Sequence, residues 1–235
     1  MRILLVALVT LIAGCASYVT PGGAVNLGSI SRVDIAEAAS RKPAAGFPAR
    51  IAIARVQAPT YRSYSQEPMA VGAYSVVTTQ ELLTEAQVQE LSAWPRVAGV
   101  APINRLLLPD RLDSLDDLRV SAAKLQADIL LVYTIDTSFR VQGRGYGPLA
   151  VISLGLVPDR DAYITSTAAA VFTDVRTGFV YGVAEATAKT AGLTNAWGSS
   201  DTIDRKRIEA EEEAFRLLVV QARKAWDGIA EQHGQ

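Results

Sequence analysis

The run 114–141, SLDDLRVSAAKLQADILLVYTIDTSFRV, constrains the fold of this chain more than any other stretch. Its first half is written as a helix. Ser114 with Asp117 three residues later makes a capping box in its Asp variant. Leu115, Leu118, Ala122 and Leu125 then recur at steps of three, four and three, which puts them on one apolar stripe. Ala127-Asp128 leads directly into a strand. Residues 129–132 are apolar without a break, as in a strand buried on both faces. Beyond them Tyr133, Ile135, Phe139 and Val141 share one parity and Thr134, Asp136, Ser138 and Arg140 the other, so only one face stays covered. A strand enclosed at its start and half-open at its end belongs inside a sheet that carries helices.

The rest of the chain supplies such a sheet. RIAIARVQ at 50–57 reads as a buried first strand ended by Pro59. TYRSYSQEP at 60–68 reads as a solvated, tyrosine-bearing loop. Residues 74–79 suit a short extended segment, 81–94 a helix stopped by Pro95, and 97–103 a strand ending near Pro102. Residues 162–175 and 179–190 are two strands joined by Arg176-Thr177-Gly178, a hairpin turn. A last helix is expected over 202–231, with Ile208, Phe215, Leu218, Val219, Ala222, Ala225, Trp226 and Ile229 on its apolar face. The charges Arg205, Lys206, Arg207, Glu209 and Glu211 to Glu213 are read as its solvated face, and His233 as part of a frayed tail. Before the first strand, Ser31 is expected to cap a short helix through about Ala39, with Val33, Ile35 and Ala36 making apolar contacts. The expected fold class is α/β (α+β): a single domain with a mixed, mostly antiparallel sheet, helices packed on it and a long C-terminal helix. At 49% hydrophobic and 20% charged residues the composition suits a globular core.

The N-terminus carries a different message. Arg2 is followed by an apolar run, 3–11, and then by Ile12-Ala13-Gly14-Cys15. This is a secretory signal ending in small residues, and it resembles the bacterial lipobox, in which a diacylglyceryl group is attached to the thiol before the chain is cut ahead of the cysteine. Cys15 is the single cysteine of 235 residues, so it has no disulfide partner within the chain. The run is much shorter than the ~20 residues of a spanning helix. The expected organisation is a signal over 1–14, a lipidated tether over 15–30 with Pro21-Gly22-Gly23, and a periplasmic domain over 31–235. The resemblance implies an anchor at Cys15. Ala16 follows where an Asp would retain the chain in the inner membrane, so it also implies the periplasmic face of the outer membrane of a Gram-negative bacterium.

Several chemistries lack their residues. Lys and Arg number 23 against 24 Asp and Glu, a net charge of −1, which gives nucleic acid no electrostatic footing. His233 is the single histidine, so neither a Ser-His nor a Cys-His pair is expected, and a zinc shell would have to be all carboxylate. Asp110, Asp113, Asp116 and Asp117 lack the glycine and the ligand spacing of a calcium loop, and they read as helix-start carboxylates. Gly143-Arg144-Gly145-Tyr146-Gly147 lacks the residues of a phosphate cradle and reads as a turn. No catalytic, cofactor or metal residue is expected, and no enzyme activity.

The strand RIAIARVQAP, the unit SLDDLRVSAAKLQADILLVYTIDTSF and the hairpin AAAVFTDVRTGFVYGVAEATA together carry a resemblance over about 49–191. The unit and the hairpin resemble the periplasmic domain of the curli secretion channel CsgG and the N-terminal domain of TolB. The order of elements, with the lipobox, is similar to that of the small envelope lipoproteins called rhombotarget lipoproteins. The resemblance implies an α/β domain in which a helix leads into a central strand. The expected function is that of a lipid-anchored outer-membrane lipoprotein, with a non-enzymatic interaction or assembly domain facing an envelope protein. An oligomeric secretion-channel subunit, in which 149–157 from Leu149 to Val157 would enter a membrane, is the alternative. A small-ligand binder is the second, and self-association stays open.

Overall fold

In the computed structural model, residues 22–30, 34–62, 71–78, 82–143, 160–194 and 200–234 are described. Cys15, the signal 1–14, Ser31, Val33, most of the loop 60–68, the turn residues Arg144 to Gly147, the run 149–157 and the turn at 158–159 lie outside them.

The strand expected at 50–57 is β1 (Ala49–Gln57), and eight of its nine residues are buried because both of its faces are covered. It pairs in parallel with β4 (Val97–Pro102) on one side and with β6 (Ile129–Gly143) on the other. Antiparallel pairing adds β3 (Ser75–Val77) beside β1, β7 (Arg160–Asp174) beside β6, and β8 (Val180–Thr194) beside β7. β8 is the outer strand of this six-stranded sheet. A separate two-stranded ladder joins β2 (Val71–Gly72) to β5 (Arg111–Leu112), with the Leu112 backbone so close that Gly72 has no room for a side chain. The protein is a mixed α+β single domain with a mostly antiparallel sheet, helices packed on it and a long C-terminal helix.

Helices cover both faces. On one lie α1 (Leu27–Ile30) and α4 (Leu115–Lys124). The capping box forms as expected, the Ser114 N–H donating to Asp117 Oδ2 at 2.8 Å. Leu115, Leu118 and Ala122 are buried against Ala52, Ala54, Leu130 and Val132. On the other face lie α3 (Glu85–Ser92) and α5 (Ser200–His233), over Ile51, Ile53, Leu131, Ala170 and Phe172. α5 has 34 residues, about 51 Å at the helical rise, and lies along β8 and β7, whose 15 residues span about 50 Å. Trp226 anchors it. The indole is fully buried, donates to Pro95 O at 2.8 Å, and has the rings of Phe47 and Phe172 at 5.8 Å and Trp94 at 6.4 Å.

The β7–β8 hairpin closes on Asp174. Its carboxylate is buried and accepts from the N–H groups of Arg176 and Thr177 at 2.8 and 2.9 Å, from Ala44 N–H at 2.6 Å and from Tyr181 OH at 2.8 Å. Gly178 takes the left-handed conformation (φ 70°) that closes the turn, and a side chain there would meet the guanidinium groups of Arg41 and Arg119. Burial pushes the Asp174 carboxyl pKa up, but the hydrogen bonds from Thr177, Ala44, Tyr181 and Arg176 outweigh it and hold the group below its ordinary value of 3.8. The folded-state value lies below the unfolded one, so the stabilisation is complete above about pH 4 and is lost as pH falls through the lowered value. Acid unfolding followed by circular dichroism is expected to begin at higher pH, or to lose this step, in Asp174→Asn, with a loss of about 2–3 kcal/mol at neutral pH.

Four expectations are corrected. Residues 22–30, read as the end of a tether, are packed on the sheet: Val25 and Ile30 are buried, Val25 N–H donates to Thr134 Oγ1 at 3.2 Å, and Gly23 O accepts from Ala58 N–H at 3.0 Å. The short helix is α2 (Ile35–Ser40), capped by Asp34 accepting from Ala36 N–H, and it buries no residue, Ile35 being 87% exposed. Tyr61, assigned to a solvated loop, is 1% exposed. His233 is the last residue of α5, its ring edge-on to Tyr181 at 5.1 Å.

Candidate functional site

α5 turns a charged stripe inward where the sequence suggests a solvated surface. Asp204, Arg207 and Glu211 fall at steps of three and four, in line with Ala214, Phe215, Leu218 and Ala222 below them. Arg207 is 1% exposed and Glu211 3%. The reason lies on β1. Arg55 shares the parity of Ile51 and Ile53, so its side chain enters the same layer, where it is 4% exposed.

The charges pair with one another, while Arg55 Nε and Arg207 Nη2 are buried without a hydrogen-bond partner among the described residues. Glu211 Oε2 accepts from Arg55 Nη2 at 3.1 Å. Glu211 Oε1 accepts from Arg207 Nη1 at 2.6 Å and from the Thr137 hydroxyl at 3.1 Å. Arg207 Nε donates to Asp204 Oδ1 at 3.0 Å. The Tyr61 ring lies under the Arg55 guanidinium at 5.4 Å, and Thr137 of β6 meets Ser166 of β7 at 3.0 Å. Burial alone would lower the Arg207 pKa, but the Glu211 charge and the hydrogen bonds that Arg207 donates to Asp204 and Glu211 reverse this and raise it. Tyr133, fully enclosed nearby, is pushed up to about 12 by burial. Two guanidinium groups thus face two carboxylates. Each Glu211 oxygen is engaged by a guanidinium. The network fastens α5 across β1, β6 and β7.

Gln57, two residues beyond Arg55, closes the same end of the sheet. Its side-chain amide donates to Ile135 O and accepts from Ile135 N–H, both at 2.8 Å, so it extends the β1–β6 ladder one step past the last backbone pair.

The remaining expectations about site residues are answered by position. Cys15 lies outside the described residues. Asp117 is spent on the cap of α4, Asp113 pairs with Arg111 at 3.0 Å and Asp116 with Arg119 at 2.6 Å. Among the described residues there is no cluster of three or more His, Cys, Asp or Glu side chains that could hold a metal, and no helix long and apolar enough to cross a membrane. A cavity of about 10 Å³ under α5, lined by Ile53, Tyr133 and Phe215 among others, is apolar and smaller than any organic ligand. An open groove at the far end of β6–β8 holds Arg140, Tyr163 and Lys189 with no carboxylate among its lining residues.

The chain matches no protein-family model and no curated protein. It is similar to several solved structures. Protein XCC0632 from Xanthomonas campestris has 10% identity over 80% of this chain and 91% of its own, with a TM-score of 0.31. Lipoprotein GNA1162 from Neisseria meningitidis has 15% identity over 69% and 94%, with a TM-score of 0.29. The PelC dodecamer from Paraburkholderia phytofirmans has 13% identity over 77% and 94%, with a TM-score of 0.27. At these scores the likenesses assign neither a family nor a function.

Proposed function

We propose that the protein is a lipid-anchored component of a Gram-negative envelope, acylated at Cys15, held at the periplasmic face of the outer membrane, and serving there as a non-enzymatic interaction or assembly module. The observation that carries the reading is Cys15 itself: the single thiol of the chain stands directly after Ile12-Ala13-Gly14, behind a short apolar run. A thiolate is the one nucleophile of that segment able to take a lipid by alkylation. Each buried methylene contributes ~0.8 kcal/mol, so two or three acyl chains hold a protein on a bilayer where one alone does so marginally. The chemistry of the buried network supports the second half of the proposal, because its charges are committed to one another and to the fold.

Metabolic labelling with an alkyne analogue of palmitate tests this. The wild-type chain is expected to take the label and to fractionate with outer membranes. Cys15→Ala is expected to lose the label completely. An unlabelled wild-type chain, or an intact leader in the mass spectrum of the mature protein, would overturn the proposal.

A further inference from the structure

We propose that two copies of this chain pair through the outer edges of β8, antiparallel about a twofold axis at Thr187. Among the described residues, no strand pairs with that edge of β8, which leaves fifteen residues of backbone able to continue a sheet. The side chains on the face away from α5 are Val183, Glu185, Thr187 and Lys189, all exposed, with Val183 69% exposed. On β7 their neighbours are Val171, Ala169, Thr167 and Thr165, so neither charge meets an opposite one across that ladder. Among the described residues neither Glu185 nor Lys189 forms an ion pair.

The pattern is self-complementary. Thr187 is the middle residue of Val180–Thr194, and Glu185 and Lys189 stand two residues to either side of it. When two such strands run antiparallel with Thr187 opposite Thr187, Glu185 of each copy falls opposite Lys189 of the other, and the whole length of both strands overlaps. Directly opposed unlike charges stabilise a strand pair and like charges destabilise it. The in-register parallel arrangement sets Glu185 against Glu185 and Lys189 against Lys189. An antiparallel slip of two residues removes both ion pairs. The charges therefore select one register and one orientation. A single guard charge would serve to keep an edge unpaired; two charges of opposite sign, symmetric about the strand centre, favour a second copy. The axis leaves α5 of both copies on one face of a continuous sheet, the symmetric, closed arrangement of a twofold dimer. The pairing is independent of the acyl anchor.

Cysteine crosslinking of the full chain in intact envelopes reads the register. Opposed residues of an antiparallel pair bring Cβ atoms within about 4.5–5.5 Å. Thr187→Cys is therefore expected to give a covalent dimer on mild oxidation. Val183→Cys, whose two copies would stand about 27 Å apart at the antiparallel strand rise, and the wild-type chain are expected to give none. Sedimentation of the full chain in detergent reads the charges. Glu185→Lys and Lys189→Glu are each expected to weaken the dimer tenfold or more, on the order of what two reversed cross-strand pairs supply. The double exchange is expected to restore it to within threefold, with unchanged circular dichroism throughout. The proposal is overturned by a monomeric wild-type chain, by crosslinking through Val183→Cys as readily as through Thr187→Cys, by a double exchange as weak as the singles, or by a Thr187→Cys adduct to a different protein.

Discussion

Glu211→Ala is expected to lower the unfolding free energy by about 3–5 kcal/mol, measured by urea denaturation of the full chain in detergent. The carboxylate is the hub of the buried network, taking Arg55 on one oxygen and Arg207 and Thr137 on the other. Its removal strands Arg55 with Tyr61 as its remaining hydrogen-bond partner and leaves Arg207 to Asp204 alone. The cost comes from two charges held away from water, more than from lost attraction. Glu211→Gln keeps an acceptor and the packing but not the charge, and should fall between wild type and alanine. Replacing Arg55, Arg207 and Glu211 together by apolar residues of similar volume should recover most of the loss, because it removes the desolvation penalty along with the pairing. A loss under about 1 kcal/mol for Glu211→Ala would place the group in solvent, where ion pairs are worth that little.

Trp226→Ala is the second large effect, about 3–5 kcal/mol. Among the described residues the side chain is the largest of the fully buried ones, and it packs with Phe47, Trp94 and Phe172 between α5 and the sheet. The cavity would lie where the neighbours are rings that cannot easily collapse into it. In a thermal melt this amounts to a fall of roughly 6–20 °C for a domain of this size. Trp226→Phe keeps much of the volume and loses the hydrogen bond to Pro95 O; its expected cost is about 1–2 kcal/mol. If the two variants melt together, the hydrogen bond and not the packing dominates.

How the sequence announces these features differs from element to element. The helix–strand unit at 114–141 was legible because propensity, capping and periodicity agree there, and burial along β6 follows the two-faced, then one-faced pattern of its residues. The hairpin at Arg176-Thr177-Gly178 was legible from its turn residues, although Asp174, which binds the turn together, announces itself only by type. The buried network was not legible. A run of Arg, Lys and Glu on a helix ordinarily faces water, and helical spacing alone cannot distinguish a charged stripe that continues the apolar face from one that flanks it. The informative residue was Arg55, a lone cation inside IAIARVQ, on the parity of Ile51 and Ile53. A charge in a strand buried on both faces demands a partner, and Glu211 lies 156 positions away in the chain. The packing of 22–30 was hidden for another reason: glycines and small polar residues read as spacer, while Val25 and Ile30 are too few to show a period.

That packing has a geometric consequence. From Cys15 to Gly22 the chain has seven residue steps, at most about 25 Å when fully drawn out. With acyl chains at Cys15, the leash is shorter than the long strands of the sheet it holds. Under the acylation proposed at Cys15, such a body would hug its bilayer instead of ranging freely, and whatever it meets would itself have to come up to the lipid.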